Sequence, residues 1–516
     1  MKNLFSFGIL LFLVNVLFAQ NIEWQKSFGG DSTDYANDIL QTTDGGYIMV
    51  GSSTSIEGDV TGNHGSSDAW IVKLDSSGNL AWQKCLGGSG WDEANAIQQT
   101  TDGGYIVAGY SNSLDGDVTG IHGSDDYWVV KLTANGTLAW QKCFGGHDQD
   151  RAYSIQQTTD GGYIVAGWSS SYDGQVIGNH GSDDFWIVKL DSSGNLSWQK
   201  SLGGSGRDWA FSIQQTTDGG YIVVGYSYST DEEVTGNHGN GDSWIVKLAA
   251  NGNLSWQKCL GGSEDDGAFS IQQTTDGGYI VAGTSYSTDG EVTGNHGLSD
   301  YWIVKLTING NLSWQKNFGG SNYDEAYSVE QTIDGGYIVG GYSESMDGEV
   351  TGNHGGDYWI VKLAANGTLS WQKCLGGSST EEAYAIQQTT DGGYIVAGLS
   401  CSNDGDVSGN HEFCDVWVVK LKNFGVGIEE NSVVTALSVS PNPVVGNSMK
   451  VDYYLSATTD VEISIVDVLG KHVGYVERGI EGEQSRVMAV EGLASGLYFL
   501  EIRTQYGRES VRWVKE

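Results

Sequence analysis

The chain has 516 residues, of which 77 are glycine and two are proline, and it carries 18 tryptophans and 26 tyrosines. That is the make-up of a packed β protein with many glycine-bearing turns, and it excludes a disordered chain. The formal net charge of -38, from 64 acids against 26 bases, repels phosphate backbones and argues against nucleic acid as a partner. Such a surface invites divalent cations or serves solubility alone.

The chain opens on Met1-Lys2-Asn3, then an apolar run over residues 4–18 and a small residue, Ala19. A basic start, an apolar core too short for a comfortable span and a small residue at its end predict a signal peptide over 1–19. No later apolar run approaches membrane length, so no membrane span is expected once that segment is removed.

From residue 20 to 424 the sequence repeats. Trp-Gln-Lys recurs at Trp24, Trp82, Trp140, Trp198, Trp256, Trp314 and Trp371, in steps of 58 residues except a last step of 57. Asp-Gly-Gly-Tyr recurs seven times, as does Trp-(Ile/Val)-Val-Lys-Leu. One period reads as four strands, in the second copy 94–100, 105–111, 127–132 and 138–143, with Asp102-Gly103-Gly104 as a hairpin turn. Four strands per period is the signature of a propeller blade, and no segment shows the 3.6-residue apolar period of a helical solenoid. An isolated fourth strand, 22–28, precedes the first set of three, and a third strand, 416–421, ends the last set without a fourth. Each orphan completes the other. The expected fold is all-β: a seven-bladed β-propeller closed by its N-terminal strand, plus a small C-terminal β-sandwich. The 14 repeated tryptophans are expected in the core, packing blade against blade. The turn at Gly78-Asn79-Leu80-Ala81-Trp82 resembles the tryptophan-docking motif of quinoprotein propeller repeats, which implies a shared packing device and no cofactor.

The loop between the second and third strands has a fixed design. With Asp115 as position one, acids fall at Asp115, Asp117 and Asp126, with Thr119 at five and Gly120 at six; Asp289, Glu291, Asp300 and Asp404, Asp406, Asp415 repeat the pattern. Early acids, a turn glycine and a late carboxylate are the layout of an oxygen-rich calcium loop, so calcium is the candidate cofactor and no other is expected. The same groups serve equally to cap turns through backbone amides. Seven of the nine histidines hold one equivalent loop position, which suits a hydrogen bond to the Asp four residues on, or three in the shortened sixth copy, better than catalysis or zinc. Cys401 and Cys414 occur only in the last copy and, in an exported protein, can form a disulfide.

Where near-identical copies differ is itself informative. The loop into each first strand varies at Trp91, Arg207 and Tyr323, the residue after its acid varies and includes Trp209, and the end of the second strand carries Tyr110 and Trp168, with Tyr172, Tyr228 and Tyr286 nearby. Propeller geometry puts these on one face around the channel mouth, where aromatics stack on sugar rings; the alternative is surface drift.

Residues 425–435 read as a linker, and 436–516 differ in composition, holding both prolines as Pro441-Asn442-Pro443. Ser440-Pro441-Asn442-Pro443, Ile465-Val466-Asp467-Val468-Leu469-Gly470-Lys471, Leu493-Ala494-Ser495-Gly496-Leu497-Tyr498-Phe499 and the basic tail from Arg512 to Lys515 follow in that order. In these motifs the segment resembles the type A C-terminal sorting domain of the type IX secretion system, and the repeats resemble glycine-rich propeller repeats of proteins that carry it. The resemblance implies a Gram-negative cell, a partner in the type IX machinery, and a secreted or surface location. The expected function is an extracellular binding or adhesion propeller with a glycan or protein on its long-loop face. It is expected not to be an enzyme, because no unique nucleophile–base constellation stands out and the prominent acids recur in every blade. The alternatives are a polysaccharide-acting enzyme and a structural surface or matrix protein.

Overall fold

The computed structural model describes residues 21–411, 413–422, 434–455, 461–467, 477–478, 483–504 and 507–516. The expected signal segment, residues 425–433 of the linker and residues 468–471 of the C-terminal motif lie outside them. The chain divides after Lys422 into two units.

In the first unit the repeat becomes seven four-stranded antiparallel sheets. The first of these runs Asp34–Gln41, Tyr47–Ser53, Asp68–Leu74 and Leu80–Leu86, and its second and third strands are buried along their whole length. Two of the repeated motifs explain each other. The Asp44 carboxylate accepts the Gly46 N–H at 3.0 Å and so folds the first hairpin, with Gly45 in the left-handed region at φ 83°. The nearly buried Lys73 places Nζ 3.1 Å from that carboxylate and 3.0 Å from the Leu74 carbonyl. A buried ammonium needs such partners, which is why Lys follows the apolar run in every blade.

The ring closes as the orphan strands require. Ile22–Phe28 pairs antiparallel with Asp415–Leu421, setting Trp24 opposite Lys420 and Phe28 opposite Val416. The Trp417 indole donates to Gln25 at 2.8 Å, across the closure, just as Trp70 donates to Gln83 at 3.0 Å within the first blade. Inner strands of successive blades adjoin one another around the axis, the first with the last included. Five of the seven inner strands also accept their neighbour's backbone on a glutamine, Glu330 doing so in a sixth: Gln41 N–H bonds Gln387 Oε1 at 2.7 Å at the closure, and Gln215 N–H bonds Gln156 Oε1 at 2.6 Å between ordinary neighbours. A disulfide joins Cys401 to Cys414 in the last blade.

The third-strand tryptophans are buried, whereas those of the fourth strand are half-buried and lie edge-on to the next blade. Trp24, for example, meets Tyr47 at 5.6 Å and 65°, and a Cβ on Gly78 would stand 2.8 Å from its ring. Beneath these contacts each interface holds two fully buried acids, one from the start of a third strand and one from the start of the next inner strand. Asp68 takes its loop histidine, His64 Nδ1, at 2.6 Å; Asp92 accepts the Ser113 hydroxyl at 2.7 Å and the Gly88 N–H at 2.8 Å. Both carboxylates press on Gly87, where a Cβ would stand 2.5 Å from Asp92 and 3.0 Å from Asp68. The glycine before each inner strand is therefore a packing requirement.

These buried pairs set the pH dependence of stability. Burial, with a smaller push from the facing acid, raises Asp34, Asp184, Asp242 and Asp357 to about 6 and Asp150 to about 7. An unfolded Asp titrates at about 3.9, so the folded state holds extra protons, and this contribution is complete below that value and lost as pH rises through 6–7. Hydrogen bonds to their aspartates raise His64, His238 and His354, with the same sign. Asp102 opposes them only in strong acid, since the Thr100 hydroxyl, Gly104 and Lys131 hold it at about 2. Thermal melts from pH 8 to pH 2 should therefore show Tm rising as pH falls to about 4 and declining again toward pH 2; a Tm that falls steadily from pH 8 downward would contradict the assignment.

The second unit is a small sandwich. One sheet holds Val434–Ser440, Ser448–Leu455 and Glu483–Ala489, and the other holds Glu477–Arg478, Glu462–Asp467, Gly496–Thr504 and Gly507–Lys515. Val451 and Met488 from the first sheet and Ile465, Leu500 and Trp513 from the second share its core.

Candidate ligand site at the channel mouth

Every inner strand carries a bulge, and the bulge builds the mouth of the channel. In the first blade Ala36 opposes Gly51 and Asp38 opposes Val50, so Asn37 is the extra residue. A Cβ on Gly51 would stand 1.8 Å from the Tyr35 carbonyl, which explains a glycine inside an otherwise apolar second strand in every copy. The bulge residues form a layer: Tyr153, Phe211, Phe269, Tyr327 and Tyr384 touch in succession at 5.1–5.6 Å, and Asn37 and Asn95, joined at 3.0 Å, complete it.

One step nearer the mouth lies a second layer, Tyr35, Glu93, Arg151, Trp209, Gly267, Glu325 and Glu382. Its flanking residues scarcely change from blade to blade, yet the layer itself does. Glu93 accepts the Tyr110 hydroxyl, Glu325 that of Tyr327 and Glu382 that of Tyr384, each at 2.6 Å. Burial raises the Glu382 carboxyl, against its Tyr384 bond and with help from the charge of Glu325. Arg151 is tied to the buried Asp125, with Nε at 2.8 Å, and lies 4.4 Å over the Tyr110 ring and 5.6 Å over Trp168. Trp209 donates to Asp183 at 2.9 Å. At Gly267 the wall is missing and a cavity of about 260 Å³ opens, lined by Tyr226, Tyr228, Tyr286, Phe269, Asp265 and Glu325 among others.

The residues expected at the mouth divide into two groups. Trp168, which is buried, stacks on Trp209 at 5.8 Å; Trp209 meets Tyr226 at 5.2 Å, and Tyr226 meets Tyr228 at 5.5 Å. Arg207, largely exposed, sits 5.9 Å over Trp209 and 3.7 Å from Asp183, and Tyr286 lies 6.4 Å from Tyr323. Among the described residues no ring contact joins Trp91 or Tyr172, both exposed, to this chain of aromatics. The carboxylates Glu93, Asp265, Glu325 and Glu382 escape a repeat-by-repeat reading because none recurs in every blade; the signal is the divergence of the position after each inner-strand acid for Glu93, Glu325 and Glu382, and of the position before it for Asp265.

The loop acids go to separate partners. Asp115 Oδ1 accepts the Ser89 N–H at 2.7 Å, Asp117 Oδ2 faces the Gly87 N–H at 3.5 Å, and Asp126 Oδ2 meets His122 Nδ1 at 2.6 Å. Asp289 accepts from Ser263 at 2.8 Å, Glu291 faces Gly261 at 3.4 Å, and Asp300 meets His296 at 2.6 Å. Asp404 accepts from Ser378 at 2.7 Å, the Asp406 N–H bonds the Gly376 carbonyl at 2.9 Å, and Asp415 meets His411 at 2.6 Å. Among the described residues no three His, Cys, Asp or Glu side chains are grouped to hold a metal ion.

Residues 438–516 match the family model of the Secretion system C-terminal sorting domain. The chain is thus a type IX export substrate of a Gram-negative bacterium, secreted or held at the outer cell surface. Among curated proteins it is similar to the regulatory protein FlaEY of Caulobacter vibrioides, 23% identical over 297 residues that take in 54% of this chain and 30% of that protein; the match thus spans under a third of the relative. Among solved structures it is similar to a puromycin hydrolase, with TM-score 0.42 and 10% identity over 82% of this chain and 59% of the other. It is also similar to a GH43_12 protein retrieved from capybara gut metagenome, with TM-score 0.29 and 12% identity over 97% and 92% of the two chains. A glycoside hydrolase family 32 protein from Bifidobacterium adolescentis gives TM-score 0.25 and 10% identity over 95% of each chain. At this identity the likeness concerns fold alone. Hydrolases are nonetheless among the proteins of similar fold, so the expectation that the chain is not an enzyme does not stand. The physical reason is local: acids that recur in every blade were set aside, and the non-recurring ones converge only once the ring is closed.

Substitution at two glycines separates the open wall from the packed one. A Cβ on Gly267 would meet Phe269 at 3.6 Å and Tyr226 at 3.7 Å, ordinary contacts, whereas on Gly283 it would stand 1.9 Å from the Gly267 carbonyl. Gly267→Ala should leave Tm within a degree or two and Gly283→Ala should lower it by several degrees; equal effects in differential scanning calorimetry would refute this reading of the bulge.

Proposed function

We propose that the exported propeller is carbohydrate-directed and takes a saccharide at the channel mouth, in the pocket opened by Gly267. The observation that carries this is the coincidence of divergence and opening. Blades that otherwise repeat almost residue for residue differ in one layer of the channel, and there a cavity is lined by tyrosine rings and carboxylates. Ring faces stack on the apolar faces of sugars while carboxylates accept hydroxyls.

A second reading, cleavage of the bound saccharide, is favoured by Glu382. Glycoside cleavage needs one carboxyl that keeps its proton beside one that has lost it, and Glu382 is pushed toward the protonated form with Glu325 near enough to feel its charge.

A glycan array probed with the full chain, in calcium and again in chelator, with the unbound fraction analysed for released sugars, tests both. Tyr228→Ala or Tyr286→Ala should weaken binding by about tenfold, the contribution of one stacked ring. Released oligosaccharide that disappears in Glu382→Gln would establish cleavage. Failure of every neutral and charged glycan to bind would sink the proposal.

A further inference from the structure

The pocket at Gly267 has a filled counterpart within the same molecule, two blades back. Residues 110, 125 and 151 stand where 226, 241 and 267 stand in the pocket, each 116 residues earlier, or two repeats of 58. In the filled copy the space is taken by the guanidinium of Arg151, 4.4 Å over the face of Tyr110 and 2.8 Å from Asp125 through Nε. The tyrosine persists in the pocket as Tyr226, but the cation is replaced by Gly267 and its acid by Gly241. An acid returns from another direction. Asp265, where the filled copy has Gln149, accepts the Gly241 N–H at 3.1 Å, and Tyr228 closes beside it. Across the cavity Glu325 lies 3.4 Å from the Tyr286 hydroxyl. The lining therefore offers tyrosine and phenylalanine faces and the carboxylates of Asp265, Asp266 and Glu325, with no lysine, arginine or histidine among the lining residues.

We infer that the pocket at Gly267 binds a cationic nitrogen group, an ammonium of the ligand occupying the place that Arg151 fills in the equivalent interface. Aromatic faces attract cations through their quadrupoles, and the attraction grows when carboxylates share a partly desolvated cavity. The inference rests on the channel mouth being the ligand site and narrows its substrate class to amino sugars. A free organic ammonium presents the same chemistry and is the other source to be distinguished.

The full chain is titrated calorimetrically at low salt with choline against its uncharged isostere 3,3-dimethylbutan-1-ol, and with a glucosamine hexamer against the N-acetylglucosamine hexamer. The charged member of at least one pair should bind about tenfold more tightly than its neutral partner, with the preference shrinking at high salt. Glu325→Gln and Asp265→Asn should each remove most of that preference, and Gly267→Arg, which supplies the missing guanidinium from the protein itself, should abolish binding. The exposed Asp148→Asn serves as a charge control and should change nothing, and melts of all variants check folding. Preference in the hexamer pair assigns the amino sugar; preference for choline alone upholds the cation site and removes the saccharide reading. Neutral and charged hexamers binding equally, with no preference for choline over its isostere, would overturn the cation site and leave the saccharide reading standing. A preference that survives both carboxylate substitutions, or no binding by any probe, overturns the inference outright.

Discussion

The pairing of Ile22–Phe28 with Asp415–Leu421 is the constraint on which the rest depends. Strands nearly four hundred residues apart in sequence close one sheet, and that closure gives every blade two neighbours. Only then can each interface bury its tryptophan, its tyrosine and its two acids on both sides, and only then do seven inner strands surround a channel. The pairing is non-local and its entropic cost falls on a single step. It is supported there by the Trp417–Gln25 bond and the Gln41–Gln387 contact, and the last blade alone is stapled by Cys401 and Cys414.

Each blade interface combines two kinds of chemistry. The apolar contacts between tryptophan and tyrosine exclude water, and the same exclusion makes the facing acids expensive to ionise. Hydroxyls, histidine and backbone amides compensate most of the carboxylate oxygens, and glycine supplies the close approach that brings amides to them. Much of the protein's acidity is therefore on the surface, but a repeated fraction is structural. The exported chain thus carries a ring whose cohesion responds to protons at its interfaces.

Specialisation is concentrated where packing leaves freedom. The bulge turns one residue of each inner strand toward the axis, and the residue two before it faces the mouth without touching the interface core. Those positions vary without disturbing the blades: arginine with its aspartate, tryptophan with its aspartate, and a pair of glycines that leave a cavity between tyrosines. Repetition thus gives a rigid ring, and a few departures from it give an asymmetric site.

Period, strand count, turn chemistry and complementary ends were all written in the order of residues, because each depends on local geometry: Asp-Gly-Gly folds a hairpin and alternation sets a face wherever it occurs. The histidine–aspartate bonds were legible for the same reason, as groups four residues apart beside one turn. The bulge was not, since an alternating run such as 94–100 reads as a continuous strand until Gly109 is seen opposite Ala94. Nor was the grouping of Tyr226, Asp265 and Glu325, which come from three different blades, nor the burial of Trp168, which looks from its place at a strand end like an exposed platform. Contacts between blades depend on how sheets stack around an axis, and that distance is set by packing and not by neighbours along the chain.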